Sequence, residues 1–397
     1  MEGPHGGGRD LGSPSYSVLL ADLWHPFTLK RTIVLDNDPT QDQDKRTVIL
    51  FREGPLVPGL HTPWSRAAVV GIALAAVVSV IVLAFLWPTV TSSVHQLPIS
   101  VVGPTAQVEQ LEAALDERSP NTFAFHEADS RDDAVTAIEH REVYGAIVLG
   151  QAPEVLTASA ASPVAAQLLG SLAPALQAQV NAAIAAQGVT LPAPIVVETT
   201  DIVPLASTDP RGAALASSSF PLVLGGMLGG ILISILIVGV WRRVTALLVY
   251  SVVGGFAITS IMQGWFGALQ SNYLVNVGAV SLALLAIGSV ITGCVALFGR
   301  PGVAVGPVLF LLIANPISAA AQPVEFLAAP WGAVGQWFPP GAGATLLREL
   351  SYFPSANTVF PWLVLGGWAV AGLLLSVVGH FRDRGAAASA ALEEATA

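Results

Sequence analysis

Apolar residues dominate six long runs along the chain and alternate with polar ones in the gap between the first two. The long runs are 67–87 (AAVVGIALAAVVSVIVLAFLW), 220–240, 246–268, 274–298, 303–321 and 360–379. A bilayer core needs about 20 apolar residues in helical form, because lipid offers no partner to a bare backbone amide. Each run therefore predicts a transmembrane helix. The run 303–321 also suits a re-entrant segment, which would leave five crossings. The first run starts too far into the chain for an ordinary cleaved signal peptide and reads as a retained span.

The gap has a different rhythm. Strand patterns lie at 97–103, 122–128, 144–150 and 154–160, and 194–205 reads as an extended return. Helical patterns lie at 106–118, 132–142 and 163–188. In the first of these, Val108, Leu111, Ala114 and Leu115 share a face. Strand, helix, strand, helix, strand predicts an α/β unit.

Composition sharpens this picture. Of 397 residues, 53% are hydrophobic and 11% charged, against about 25% charged in soluble domains. With mean hydropathy +0.65, the chain is neither an ordinary water-soluble globule nor a disordered one. The lone Cys294 excludes an intrachain disulfide and a cysteine-based zinc site. Two lysines, Lys30 and Lys45, argue against a nucleic-acid partner and leave membrane lipids as the surroundings. The expected fold is a membrane all-α bundle of six transmembrane helices with an inserted extracytoplasmic α/β domain.

Basic residues set the orientation. A cytoplasmic N-terminus puts 12 of the 17 on the inside, among them Arg242, Arg243, Arg300 and Arg382 on short connections or at span ends. Both termini are then cytoplasmic, in the plasma membrane. The domains predicted are a cytoplasmic head (1–65), a first helix (66–90), the extracytoplasmic α/β domain (91–216), a five-helix bundle (217–380) with an outer Pro-rich segment (322–358), and a loose cytoplasmic tail (381–397). Residues 91–216 hold 14 acidic and 4 basic residues, a net −10 that equals the formal charge of the whole chain. In the head, 15–30 predicts an interfacial helix anchored by Trp24 and Phe27. Two short strands, 31–35 and 46–51, flank an acidic turn there.

Little catalytic chemistry is offered. No phosphate-cradling G-x-x-x-x-G-K-[ST] loop and no G-x-S-x-G elbow occurs. Asp36, Asp38, Asp42 and Asp44 form D-x-D pairs that suit a divalent ion, but beside Asn37 and Pro39 they read first as a turn. His95, His126 and His140 lack the spacing of a zinc helix. No enzyme, cofactor or metal site is predicted. The six runs carry no Asp, Glu, Lys or Arg in their middles, which argues against a self-powered proton antiporter. Gln263, Asn272, Asn276 and Asn315 read as interhelical hydrogen-bonding groups.

Gly225, Gly226, Gly229 and Gly230 allow two helix backbones to approach closely, as a candidate dimer seam or as packing within one subunit. Gly254, Gly255, Gly366 and Gly367 read the same way more weakly. Asn315-Pro316 interrupts the fifth run, and Pro323, Pro330, Pro339 and Pro340 punctuate the apolar segment after it. The tryptophans there, Trp331 and Trp337, read as an interfacial belt. Asn315, Pro316, Glu325, Pro339, Pro340, Arg348 and Glu349 form a candidate outer gate, with Glu325, Arg348 and Glu349 its charges.

Two phrases carry a resemblance: YGAIVLG at 144–150 and, more strongly, NPISAAAQPVEFLAAPWGAVGQWFPPGAGATLLRELSYF at 315–353. With one span, an outer domain and five further spans, the chain resembles the YhgE/Pip-like ABC-type exporter permeases over about residues 60–380. The resemblance implies a membrane subunit that forms a homodimer and takes its energy from a separate ATPase. Related permeases carry a Glu-bearing docking helix between the second and third spans. Here that connection is VWRRVTA, which leaves Trp241, Arg242 and Arg243 as the candidate cytoplasmic coupling residues. The expected function is export of an amphiphilic or lipid-like substrate across a bacterial plasma membrane. The alternative is a non-transporting envelope protein whose outer domain binds a partner or receptor.

Overall fold

The computed structural model describes residues 62–150, 152–186, 188 and 193–396, with side chains as far as Arg382. The head's predicted helix and strands and the D-x-D pairs lie outside the described residues.

A five-stranded mixed sheet occupies the gap between the first two long helices. Its strands are β1 (Leu97–Val102), β2 (Phe123–Glu127), β3 (Gly145–Val148), β4 (Glu154–Thr157) and β5 (Glu198–Asp201). Their order is β2-β1-β3-β4-β5, and only the β3/β4 pair is antiparallel. Helices α2 (Thr105–Arg118) and α3 (Arg131–Glu139) make the parallel crossovers around β1. The core comprises Leu97, Ile99 and Val101 of β1, Ala146 and Ile147 of β3, Val108 and Leu111 of α2, and Ala134 and Ile138 of α3. Of the predicted α2 face, Val108 and Leu111 are buried, Leu115 packs at the edge and Ala114 is exposed.

The helix predicted over 163–188 is two helices, α4 (Pro163–Gly170) and α5 (Ala173–Ala186). Pro174 explains the break: it has no N–H to donate and its ring clashes with the carbonyl four residues back. Ser162 caps α4, its hydroxyl accepting from the Ala165 amide at 3.2 Å.

Among the described residues, five helices are long and apolar enough to cross a membrane. They are α1 (Trp64–Thr91), α6 (Ala213–Leu236), α7 (Val240–Thr259, continued by a π-helical turn to Trp265), α8 (Tyr273–Phe298) and the first part of α11 (Val359–Thr396). Asp209 accepts from the amides of Ala213 and Ala214 and so starts α6. Asn272 starts α8 in the same way, accepting from Leu274 and Val275.

Helix α8 is central, packed by α6, α7 and α11 and buried on nearly every side from Asn276 to Val295. Helix α1 is its opposite, with Pro88 its one buried residue. It leans on the rest through edge-on ring contacts, Phe85 to Phe220 and Trp87 to Trp331.

The fifth predicted run, 303–321, falls short of a full span, as its re-entrant alternative allowed. Arg300–Ala304 is a 3-10 turn and Pro307–Ala314 is π-helical, and turns follow from Asn315. Fifteen helical residues reach about 22 Å, short of the roughly 30 Å core. Pro301, Pro307 and Pro316 are the reason, since each removes a backbone donor from an α-helical ladder. The described residues therefore hold five membrane-length helices and one shorter apolar one. The tail departs from expectation: instead of being loose it continues α11 to Thr396, which its many alanines favour.

Candidate functional site

The Pro-rich segment predicted as outer folds back into the bundle. After the Asn315–Ser318 turn come a 3-10 turn (Val324–Phe326), α9 (Trp331–Gly335) and α10 (Pro339–Tyr352). Pro339 and Pro340 occupy the first turn of α10, where a missing N–H costs nothing. The small residues Gly341, Ala342, Gly343 and Ala344 follow, and α10 settles against α6, α8 and α11. Protein thus covers its backbone, as any non-spanning segment that entered a membrane would require. Local hydrogen bonds fix the shape. Ser318 Oγ donates to the Asn315 carbonyl at 2.7 Å, Gln336 Nε2 to the Ser318 carbonyl at 3.0 Å, and Thr345 Oγ1 to Gln336 Oε1 at 2.7 Å. Trp368 Nε1 of α11 donates to the Trp337 carbonyl at 2.8 Å.

This segment is joined to the sheet by both apolar and charged groups. Phe326 and Phe353 belong to the sheet's own hydrophobic core. The Ser93 amide donates to the Phe326 carbonyl, and Ser92 Oγ donates to Gln322 Oε1 at 3.1 Å. At the centre, Arg141 Nη1 donates to Glu349 Oε1 at 2.9 Å, with both side chains nearly enclosed. Tyr144 Oη donates to Glu325 Oε2 at 3.0 Å. Arg348, only 8% exposed, donates from Nη2 to the Ala320 carbonyl at 2.9 Å. Arg141 holds a left-handed backbone (φ 60°) on the turn between α3 and β3. For a residue with a side chain that conformation costs about 1 kcal/mol or more, and here it aims the guanidinium at Glu349 of α10.

Burial sets the electrostatics. It pushes the Glu349 carboxyl upward, with the Arg141 charge pulling it partly back. It lowers the Arg348 guanidinium to about 10, aided by the nearby Arg141 charge. It raises the Tyr144 phenol, with the Glu325 carboxylate adding to the effect. Tyr144 therefore stays a donor at any working pH. Tyr144→Phe deletes that donor and is expected to cost about 1–2 kcal/mol in a thermal unfolding comparison.

Two cavities flank the junction. One of about 750 Å³ lies between His95, Gln96 and Asn121 on the sheet's rim and Glu325, Pro330 and Ala333 of the outer segment. The other, about 200 Å³, is lined by Asn272, Asn276, Glu349 and Phe353. Asn276 donates to Gln263 Oε1 at 2.9 Å and to the Gln270 carbonyl at 2.8 Å. Its Oδ1 and the Glu349 Oε2 are buried without a partner.

Of the predicted gate residues, Glu325, Arg348 and Glu349 come together at this junction, Pro339 and Pro340 start the helix that carries two of them, and Asn315 and Pro316 form the turn that leads in. Three of the four predicted polar residues, Gln263, Asn272 and Asn276, cluster beside it. Arg141 and Tyr144 are the partners that sequence reasoning passed over. Their signal was a basic residue just before the buried strand pattern 144–150 and the tyrosine that opens it.

The glycines of α6 serve contacts within the chain. A Cβ at Gly226 would meet Ile287, one at Gly229 the Tyr250 ring, and one at Gly230 the Gly288 carbonyl. Gly225 lies near Leu284 and Tyr250, whose hydroxyl donates to the Gly225 carbonyl at 2.7 Å. Trp241, Arg242 and Arg243 occupy the first turn of α7, at the end of the bundle reached by the C-terminus of α6. Trp241 lies edge-on to His380 of α11. Among the described residues no group of three or more metal-ligating side chains occurs. Comparison with family models, with curated proteins and with solved structures gives no match to this chain.

Proposed function

We propose that the protein is a permease-like subunit that moves an amphiphilic or lipid-like molecule outward across a bacterial plasma membrane. On this reading both termini are cytoplasmic and the sheet stands outside as an extracytoplasmic domain. The short helix 300–314, with the turns after it, serves as a sixth, broken crossing. Two copies form the working unit, powered by a separate ATPase of the kind that the YhgE/Pip-like permeases employ. The observation that carries the reading is the junction itself. A buried helix plugged among α6, α8 and α11 is tied to the sheet by an enclosed ion pair, beside an apolar-walled cavity of about 750 Å³. That arrangement links a movement of the sheet to the opening of the bundle's outer mouth. The absence of charge within the apolar runs suits an uncharged tail better than an ion.

Locking the junction tests this. In a Cys294→Ser background, Arg141→Cys and Glu349→Cys are joined with a short thiol cross-linker of matching span. Cross-linked cells should retain a fluorescent lipid that uncross-linked cells export, and cleaving the linker should restore export. Export that continues through a complete cross-link would sink the reading.

A second reading is favoured by the net −10 of residues 91–216: an envelope protein that uses this acidic surface to hold a partner. Purifying the full-length protein with its neighbours separates the two. A co-purified ATPase supports transport, and a co-purified basic surface protein supports the alternative.

A further inference from the structure

Helix α8 runs about 39 Å from the junction to its C-terminus. There the ends of α6 and α8, the start of α7, the 300–304 turn and α11 surround a cavity of about 600 Å³. Three arginines from three different elements line it: Arg243, Arg300 and Arg382. Among the side chains described, which end at Arg382, none of them has a carboxylate within ion-pair distance, the two ion pairs there being Arg131–Glu154 and Arg141–Glu349. Arg243 is fixed in place, its Nε donating to the Ile237 carbonyl at 2.7 Å, which leaves both terminal nitrogens free to meet a ligand. The first turn of α7 has no side-chain cap, and Val240 at that turn borders the same cavity. Three cations and an open helix N-terminus around one space call for an anion.

The remaining wall says which anion. Ile235, Val295 and Phe298 give the cavity an apolar side, at the level where membrane-length helices end. Inorganic phosphate has no use for such a wall, whereas a phospholipid does, its phosphate among the guanidiniums and its chains along the apolar face. Basic pockets between helix ends are a recurrent means of holding anionic headgroups. We propose that this cavity binds the phosphate of an anionic phospholipid, clamped by Arg243, Arg300 and Arg382. A lipid held there would join α6, α7, α8 and α11 at the end opposite the sheet. The proposal needs only a membrane setting and stands whether or not the protein is a transporter.

The test uses the full-length protein, delipidated in detergent. It is titrated with phosphatidylglycerol, phosphatidylcholine or sodium phosphate at matched ionic strength. Unfolding is followed by tryptophan fluorescence, and bound lipid by native mass spectrometry. Phosphatidylglycerol should raise Tm and remain bound, while phosphatidylcholine and sodium phosphate should do neither. The triple variant Arg243→Gln, Arg300→Gln, Arg382→Gln should lose the response, whatever small drop in lipid-free Tm follows from the lost Arg243–Ile237 hydrogen bond. Should that variant fail to fold, Arg300→Gln alone, at an exposed position, should weaken phosphatidylglycerol binding about fivefold. Equal responses to both lipids, or full retention of phosphatidylglycerol by the variants, would overturn the proposal. An equal Tm rise with sodium phosphate alone would overturn the lipid assignment and leave a soluble phosphate site.

Discussion

Replacing Arg141 by methionine is expected to destabilise the junction by about 3 kcal/mol at neutral pH, because it leaves the buried Glu349 carboxylate without its cation. The sign of the pH effect follows from burial. Glu349 titrates above its ordinary value of 4.5 in the folded chain. Its folding contribution is therefore fully present below 4.5 and is lost as pH rises through the raised value. In the variant that loss is larger, since the offsetting Arg141 charge is gone. The damage should thus shrink on acidification as the carboxyl takes up a proton. A double change, Arg141→Met with Glu349→Leu, should recover most of the stability, since two apolar groups of similar size replace both ions. Hydrogen exchange of the α10 amides at about pH 5 and about pH 7.5 reads both effects. A cost that ignores pH, or a double variant worse than the single one, would contradict this account.

The second large effect is expected at the crossing of α8 and α11. A Cβ at Gly372 would fall on the Ser289 backbone, and one at Gly293 on the Gly372 carbonyl. Backbone cannot swing aside as a side chain does, so Gly372→Val must push two helices apart. Overpacking of this kind costs about 3 kcal/mol or more. Gly366→Ala on the same helix is the control. Nothing lies within 4 Å of its added carbon, and helix propensity alone should make it neutral or stabilising by up to about 1 kcal/mol. Detergent melts of the two variants side by side decide the matter, and equal Tm values would refute the assigned crossing.

That contrast shows what the chain's pattern conveys and what it withholds. Hydropathy located α1, α6, α7, α8 and α11 because each is long and apolar enough to be read one residue at a time. Strand and helix rhythm located the sheet for the same reason. Spacing alone singled out Gly366 and Gly367, yet the close approach uses Gly372 and Gly293, because which face of α11 meets α8 is a property of the packed pair. The run 303–321 was read by its hydrophobicity, and its prolines weighed more, turning an apparent span into a short π-helical piece. Glu325, Arg348 and Glu349 stood out as charges in an apolar segment. The partners of Glu325 and Glu349, Tyr144 and Arg141, lie about 180 to 210 residues away, and no local pattern can announce a contact of that range.

The isolation of α1 bears on how the protein is made. It is the most apolar of the five long helices and, among the described residues, has almost no neighbours to bury against. As it leaves the ribosome it can partition into lipid by itself, more than a hundred residues before α6 is synthesised. Helix α8 is in the reverse position, carrying Asn276, Ser289 and Thr292 that lie buried only once α6, α7 and α11 surround it. Biogenesis is thereby ordered: an autonomous anchor is laid down first, and the central helix enters last in thermodynamic terms, stable only when its companions have arrived.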